Sequence, residues 1–342
     1  MNPPPFATHW ARELGAAEES LIQLRGGINN RVYRCGEGVE SYVIKGYEPA
    51  ECGKRDRMKS EIDFLGYAAI VSSKFVPKLV CTDLERRCVV MEYIEGSPYP
   101  EGLVPPASDV NAAVEFFQQL NADRGLAQQY LSLDAAEGYL RLRDHITNIQ
   151  ERHEAMCTDH LPLELQPSAA KLLAKLKEST ERVADWTEAL IASGTVADAI
   201  RKEDRIVSPS DFGFHNAMRT QGGVSFFDFE FAGWDDPAKA SADFILQPRI
   251  PTNSGYSPLW DTFADDIRVA VQSRCKVLGV ILRLKWIAII LKILQPQEIT
   301  KMLTTHRDIN IAEQARQRLR NAAKYFSEEN PFGLHRLYVP AA

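Results

Sequence analysis

The chain has 342 residues, beyond the length at which one hydrophobic core usually stops growing, so two lobes are expected. Hydrophobic residues make up 45% and charged residues 25%, the balance of an ordinary globular protein, which excludes long disorder. A formal net charge of −6 gives no basic footprint for nucleic acid, although such an average leaves room for a local charged pocket.

The N-terminus, MNPPPFATHW, has neither a basic start nor an apolar core, and no signal peptide is expected. After this Pro-rich lead, residues 21–24, 31–35 and 41–45 read as three short strands. The first two flank Arg25-Gly26-Gly27-Ile28-Asn29-Asn30, and Gly36-Glu37-Gly38 marks the next turn. Glycine and asparagine tolerate positive φ, so the first turn can fold tightly and bring backbone N–H groups near a phosphate, or simply reverse the chain. Lys45 ends the third strand. A helix is expected over about residues 54–69, with Met58, Ile62, Leu65 and Ala69 on one face and Glu61 near their edge. A lysine on a strand and a glutamate on the following helix can pair and hold the lysine toward phosphates; otherwise both are solvated surface charges.

Residues 78–82 and 88–92 predict a second hairpin around Asp83-Leu84-Glu85-Arg86. The second strand runs through Met91, Glu92 and Ile94 into Ser97-Pro98-Tyr99-Pro100 and two more prolines, a connector that leaves a small β lobe. Helices are predicted over 108–121, capped by Ser108 or Asp109, over 135–156 and over 167–193. Next comes VSPSDFGFHNAMRTQGGVSFFDFEFAGWDD, a loop feeding a hairpin whose strands, 216–220 and 224–229, flank Gln221-Gly222-Gly223. A tight hairpin brings Asp211, Asn216 and Asp228 to one mouth. Two carboxylates and an amide there can hold Mg²⁺, which prefers oxygen ligands and takes few carboxylates beside substrate phosphates. A loop aspartate is otherwise a turn or cap residue. Asp228, however, borders an apolar strand with Val224, Phe226 and Phe227, where a charge needs a partner.

Helical segments are expected to fill residues 258–330. Residues 277–294, VLGVILRLKWIAIILKIL, could pass for a membrane span, but Arg283, Lys285 and Lys292 interrupt it, and a buried helix is the expectation. The six cysteines (Cys35, Cys52, Cys81, Cys88, Cys157 and Cys275) form no C-x-x-C pair and fit a reduced cytosolic setting.

The segments LRGGINNRVYR, YVIKGY, SEIDFL, VVMEYIEG, SDFGFHN and FFDFEFAGWDDP, in this order, resemble aminoglycoside phosphotransferases and choline-kinase-like enzymes. SPSDFGFHN with the later RLKW is similar to a subgroup found among bacterial surface-polysaccharide genes. The resemblance implies an α+β, protein-kinase-like fold with a small antiparallel β N-lobe over 1–95 and a larger, mainly helical C-lobe over 96–342. It implies a cytoplasmic enzyme that uses ATP and Mg²⁺ to phosphorylate a hydroxyl of a small molecule: a sugar, an amino sugar or an amino alcohol. Carried over by position, it makes Asp211 the catalytic carboxylate that accepts or orients the acceptor hydroxyl. Asn216 and Asp228 become the Mg²⁺ ligands, Lys45 the contact to the α- and β-phosphates, and Glu61 its partner. Backbone groups near Glu92 and Ile94 would read the adenine, Met91 would line its pocket, and Gly26, Gly27 and Asn29 would lie over the phosphates. A polycationic aminoglycoside is a poorer acceptor, because Asp261, Asp265 and Asp266 read as a solvated helix face.

The chain departs from the family where histidines are usual. Pro209 stands two residues before Asp211 and Gly213 two residues after it, while His215 stands beside Asn216. His215 is expected to satisfy nearby backbone, with a catalytic role as the other reading. Trp234 is expected to anchor the loop after the metal strand onto the helical lobe, or else to stack on a substrate ring. These departures leave a nucleotide-binding pseudokinase with a regulatory or scaffold role as the alternative. The joint presence of Lys45, Glu61, Asp211, Asn216 and Asp228 favours the enzyme.

Overall fold

The computed structural model of the chain describes residues 3–24, 30–50, 55–252, 265–305 and 309–338. Its contacts divide into two units, Met1–Gly138 with Ile206–Asp235 and Tyr139–Arg205 with Asp236–Ala342.

The first unit opens with α1 (Pro5–Glu13) in the stretch read only as a Pro-rich lead. Pro5 takes the first helical position, where its missing N–H is no loss. A five-stranded antiparallel sheet follows, built from β1 (Ile22–Gln23), β2 (Arg31–Cys35), β3 (Tyr42–Gly46), β4 (Leu79–Asp83) and β5 (Cys88–Glu92) in the order β1-β2-β3-β5-β4. Ile44, Cys35, Val90 and Ala11 form a small core on one face. Side chains alternate along a strand, so Lys45 points to the other face, toward α2 (Arg57–Val71). Asp56 caps that helix by accepting from the Lys59 N–H. Its buried stripe runs through Met58, Glu61, Phe64, Leu65 and Ala68, while Ala69 is exposed and Ile62 half-buried. Glu61 therefore lies inside the stripe and not at its edge, because its carboxylate has buried partners.

Downstream come β6 (Ser97–Pro98), α3 (Ala107–Asn121) and α4 (Arg124–Tyr130). Neither Ser108 nor Asp109 caps α3: the cap position is Pro106, and Asp109 is engaged by the Tyr99 hydroxyl at 2.6 Å and by Arg219 at 2.8 Å. The second segment of the unit supplies β7 (Ile206–Ser208), β8 (Ala217–Thr220), β9 (Gly223–Phe226) and β10 (Gly233–Asp235). β7 pairs with β10, and β6, β8 and β9 form a three-stranded sheet. The predicted hairpin is present, but its second strand ends at Phe226 and its first begins after Asn216. Phe116 of α3 stacks on Phe226 with centroids 5.2 Å apart and meets Phe75, Phe212 and Phe229, an aromatic core beneath the loops. A Cβ on Gly233 would lie 2.4 Å from the Leu133 carbonyl oxygen, so only glycine permits this backbone approach.

The second unit is helical: α5 (Leu142–Glu154), α6 (Gln166–Ala192), α7 (Pro237–Ile245), α8 (Asp265–Ile290), α9 (Pro296–Thr305) and α10 (Ile311–Ser327). The helix predicted over 135–156 starts later than expected, because the Ala135 and Ala136 N–H groups bond to the carbonyls of Trp234 and Phe231 instead of opening a helix. Most apolar residues within 277–294 are buried in one large core with α5, α6, α7 and α10, and Trp286 and Ile290 pack half-buried against it. Arg283 and Lys285 are buried as well, with Lys285 held by Asp243 at 2.6 Å and Arg283 donating to the Glu328 carbonyl at 3.2 Å. No helix among the described residues is long and apolar enough to cross a membrane. The cysteines among the described residues form no disulfide.

Candidate active site

Lys45 is the hub. Its Nζ lies 2.6 Å from Glu61 Oε2, 2.6 Å from Asp228 Oδ1 and 3.7 Å from Glu230 Oε2. Burial alone would pull the ammonium toward neutrality, yet Asp228, Glu61 and Glu230 outweigh it and hold Lys45 charged, well above the ordinary lysine range. Glu61 ties three elements together: its Oε2 also accepts from the Tyr47 hydroxyl, and its Oε1 accepts from the Phe229 N–H at 3.2 Å. Burial and the adjacent Glu61 carboxylate push the Tyr47 phenol well above its usual value, so it stays a donor.

Asp228 takes a left-handed conformation, φ +68°, on the turn after β9. A non-glycine residue there stores roughly 1–3 kcal/mol, strain that concentrates at functional sites. Its neighbours explain how the turn is held. Phe229 packs 4.5 Å from Phe64 of α2, and the Phe227 N–H donates to the Asn216 carbonyl at 3.0 Å. Asn216, the other expected metal ligand, is thus joined through its backbone to the residue before Asp228.

Asp211 lies on the loop between β7 and β8, its side chain about one-third exposed (37%). The flanking Ser210 is also left-handed, φ +65°, and Phe212 and Phe214 point into the aromatic core. That alternation leaves Asp211 outward, where Asn216 Nδ2 donates to its carbonyl at 3.1 Å and approaches its Oδ2 at 3.4 Å. His215 does not simply satisfy backbone, as expected from the sequence: its Nε2 lies 3.0 Å from Asp211 Oδ1.

The donor set suits Mg²⁺. With Nδ2 turned to Asp211, Asn216 offers its amide oxygen, and Asp228 keeps an oxygen that Lys45 does not hold. Among the described residues no three His, Cys, Asp or Glu side chains form a ready-made cage. A cation that relies on one or two carboxylates and on substrate phosphates needs none.

Met91 is buried at the end of β5 and Glu92 is exposed. The Glu92 and Tyr93 N–H groups are committed to the Lys78 and Ser41 carbonyls, which fixes the backbone leading to Ile94. Gly26, Gly27 and Asn29 lie outside the described residues. Trp234 is buried in β10, and its indole N–H donates to the Leu131 carbonyl at 3.0 Å, so it anchors its strand.

Sequence reasoning missed Glu230. Glu230 is buried and accepts from Asn30, the last residue of the Gly-rich turn. Desolvation and the nearby Asp228 raise its carboxyl above the ordinary value, against the pull of Lys45. The Asp-Phe-Glu spacing was the available signal, although the left-handed Asp228 takes the segment out of the strand alternation that such spacing predicts.

A family model described as the phosphotransferase enzyme family matches residues 20–270. A search of curated proteins finds no match. Among solved structures, a choline/ethanolamine kinase family protein from Mesorhizobium loti is similar at 14% identity, with 97% of each chain covered and a TM-score of 0.53. Choline kinase from Cryptosporidium parvum is similar at 13% identity, with 89% of this chain and 88% of that chain covered and a TM-score of 0.51. A spectinomycin phosphotransferase, solved with ADP and spectinomycin, is similar at 10% identity, with 89% and 92% covered and a TM-score of 0.53. Such low identities speak for the fold alone, a protein-kinase-like one with a small antiparallel β half and a helical half. The family model, spanning most of the sequence, carries the assignment: the chain belongs to the phosphotransferase enzyme family.

Proposed function

We propose that this chain is a small-molecule kinase that transfers the γ-phosphate of ATP to a hydroxyl of a sugar, an amino sugar or an amino alcohol. The observation that carries the reading is the Lys45 hub, 2.6 Å from both Glu61 and Asp228, in the same unit as the Asp211–Asn216 loop. Phosphoryl transfer needs little covalent chemistry from a protein and depends on positioning and charge neutralisation. In this reading Lys45 meets the α- and β-phosphates, and Glu61 keeps its ammonium in place. Gly26, Gly27 and Asn29 cover the phosphates, the backbone at Glu92 and Ile94 reads the adenine, and Met91 lines that pocket. Asn216 and Asp228 hold Mg²⁺, which when bound offsets phosphate charge. Asp211 receives or orients the proton of the acceptor hydroxyl.

Residues 1–95 form the nucleotide-binding lobe of this proposal and 96–342 carry the catalytic loop and acceptor site. ATP use and a cysteine pattern without a C-x-x-C pair suit a cytoplasmic setting. A sugar acceptor from surface-polysaccharide metabolism is the narrower form of the reading and rests on SPSDFGFHN. The test is a nucleotide-consumption screen with Mg²⁺ against sugars, amino sugars, amino alcohols and aminoglycosides. Asp211→Asn should lower turnover by roughly 10²–10⁴-fold, the range for a positioned general base, and leave ATP affinity nearly unchanged. Turnover of the variant at the parent rate removes Asp211 from the mechanism.

A further inference from the structure

The histidines that the resemblance leads one to expect beside Asp211 are replaced by Pro209 and Gly213, yet Asp211 still has an imidazole partner. It comes from His215, four residues on, whose Nε2 sits 3.0 Å from Asp211 Oδ1. The ring is held firmly: the His215 side chain is only 5% exposed against 37% for Asp211. The turn that carries it is pinned through Phe214, which is buried and packs 4.9 Å from the Tyr99 ring and 6.2 Å from Phe226. An anchored ring donating to one carboxylate oxygen restricts rotation of that carboxylate about its own axis.

We infer that His215 is a positioning residue for phosphoryl transfer. It donates its Nε2–H to Asp211 Oδ1 and fixes the carboxylate in the rotamer that serves the acceptor hydroxyl, the work that histidines at positions 209 and 213 cannot do here. This inference rests on the kinase reading above. The two Asp211 oxygens are then inequivalent: Oδ1 accepts from the imidazole, and Oδ2 lies 3.4 Å from Asn216 Nδ2. In the transfer step the acceptor oxygen bonds to the γ-phosphorus and the bond from that phosphorus to the β–γ bridging oxygen breaks. ADP leaves, and the hydroxyl proton passes to Asp211 Oδ2.

Two substitutions and one spectrum test this. His215→Gln keeps an N–H within reach of the same oxygen, and His215→Leu removes it. His215→Leu is expected to lower kcat by about 10²-fold, the scale of an ångström-sized misplacement, with KM for ATP within about twofold of the parent, and His215→Gln to recover most of the loss. Equal kcat in parent and His215→Leu overturns the proposal. If His215→Leu does not fold, the imidazole ¹⁵N and ¹H resonances of the intact protein decide. A protonated Nε2 whose signal moves on Asp211→Asn supports the bond, and an unprotonated Nε2 or an unmoved signal overturns it. Should the parent consume no ATP with any acceptor, the kinase reading fails, while the resonance shift still reports on the His215–Asp211 bond.

Discussion

Lys45 is one ammonium among three carboxylates, and that imbalance decides how it behaves. Glu61 and Glu230 are almost fully buried, with side chains 1% and 3% exposed, while Asp228 is 34% exposed and so the partner most open to exchange. A phosphate oxygen can take the place of Asp228 at Lys45 while Glu61, tied also to Tyr47 and to the Phe229 N–H, stays where it is. Lys45→Met keeps the length of the side chain and deletes the charge. It should destabilise the fold by ~3–5 kcal/mol, the penalty for leaving buried charge uncompensated, and weaken ATP binding as well. Chemical denaturation and a nucleotide titration measure the two effects; a variant as stable as the parent would mean that Arg57, 4.0 Å from Glu230 Oε1, or protonation compensates the carboxylates without Lys45. The order of strand, lysine, helix and glutamate made the Lys45–Glu61 pair legible in the sequence. The contact between Asn30 and Glu230 was not, because the two lie 200 residues apart and no local pattern links them.

Among the elements, α7 and α8 show how charge is built into a helical core. Arg274 Nε meets Asp236 at 2.6 Å, and its remaining nitrogens donate to the carbonyls of Leu140, Ala197 and Asp198. Close by, His145 of α5 is buried against Tyr139, with the cations Lys239 of α7 and Lys285 and Arg274 of α8 around it. Burial first, and then these three cations, hold His145 neutral in the fold, well below its ordinary value of 6.5. An unfolded chain protonates it as pH falls through about 6.5, whereas the folded chain does not until far lower. Unfolding therefore takes up a proton in this window, and stability falls as the medium is acidified below 6.5, by up to ~1.4 kcal/mol per pH unit. His145→Gln, which cannot take that proton, should show a flatter decline between pH 6.5 and 5 in denaturation experiments; parallel pH curves would show that His145 titrates normally. The apolar run of α8 was plain in the sequence because buried helices carry a dense hydrophobic pattern. The start of the predicted helix misled, since the Ala135 and Ala136 N–H groups go to the Trp234 and Phe231 carbonyls, a tertiary demand that local propensity does not record.

For the whole molecule, connectivity matters most. The first unit is discontinuous in sequence: its sheet of β1 to β5 is complete by Glu92, but β6 waits for β8, and Phe116 waits for Phe212, Phe226 and Phe229. Asp211, Asn216 and Asp228 all lie in the returning segment, so the candidate site is assembled only once Asp235 has been made. This long-range closure was legible only through the order of motifs. The acceptor was not, because motifs near the nucleotide report on phosphate chemistry and leave the helical segments, which resemble the family only in character, without a signature. Because Lys45, Glu61, Asp228 and Asp211 share one unit, a nucleotide bound there is linked to that unit's unfolding. ATP with Mg²⁺ at a hundred times its dissociation constant should stabilise it by ~2.7 kcal/mol, since the ligand binds the folded state and not the unfolded chain. Omitting Mg²⁺, or replacing Asp228 by Asn, should remove much of that gain, because a hard cation loses a charged oxygen ligand. Thermal melts across millimolar ATP, with and without Mg²⁺, read this out. A melting temperature that does not move rules out a nucleotide site at Lys45, whereas one that rises equally without Mg²⁺ keeps the site and removes Asp228 as a metal ligand.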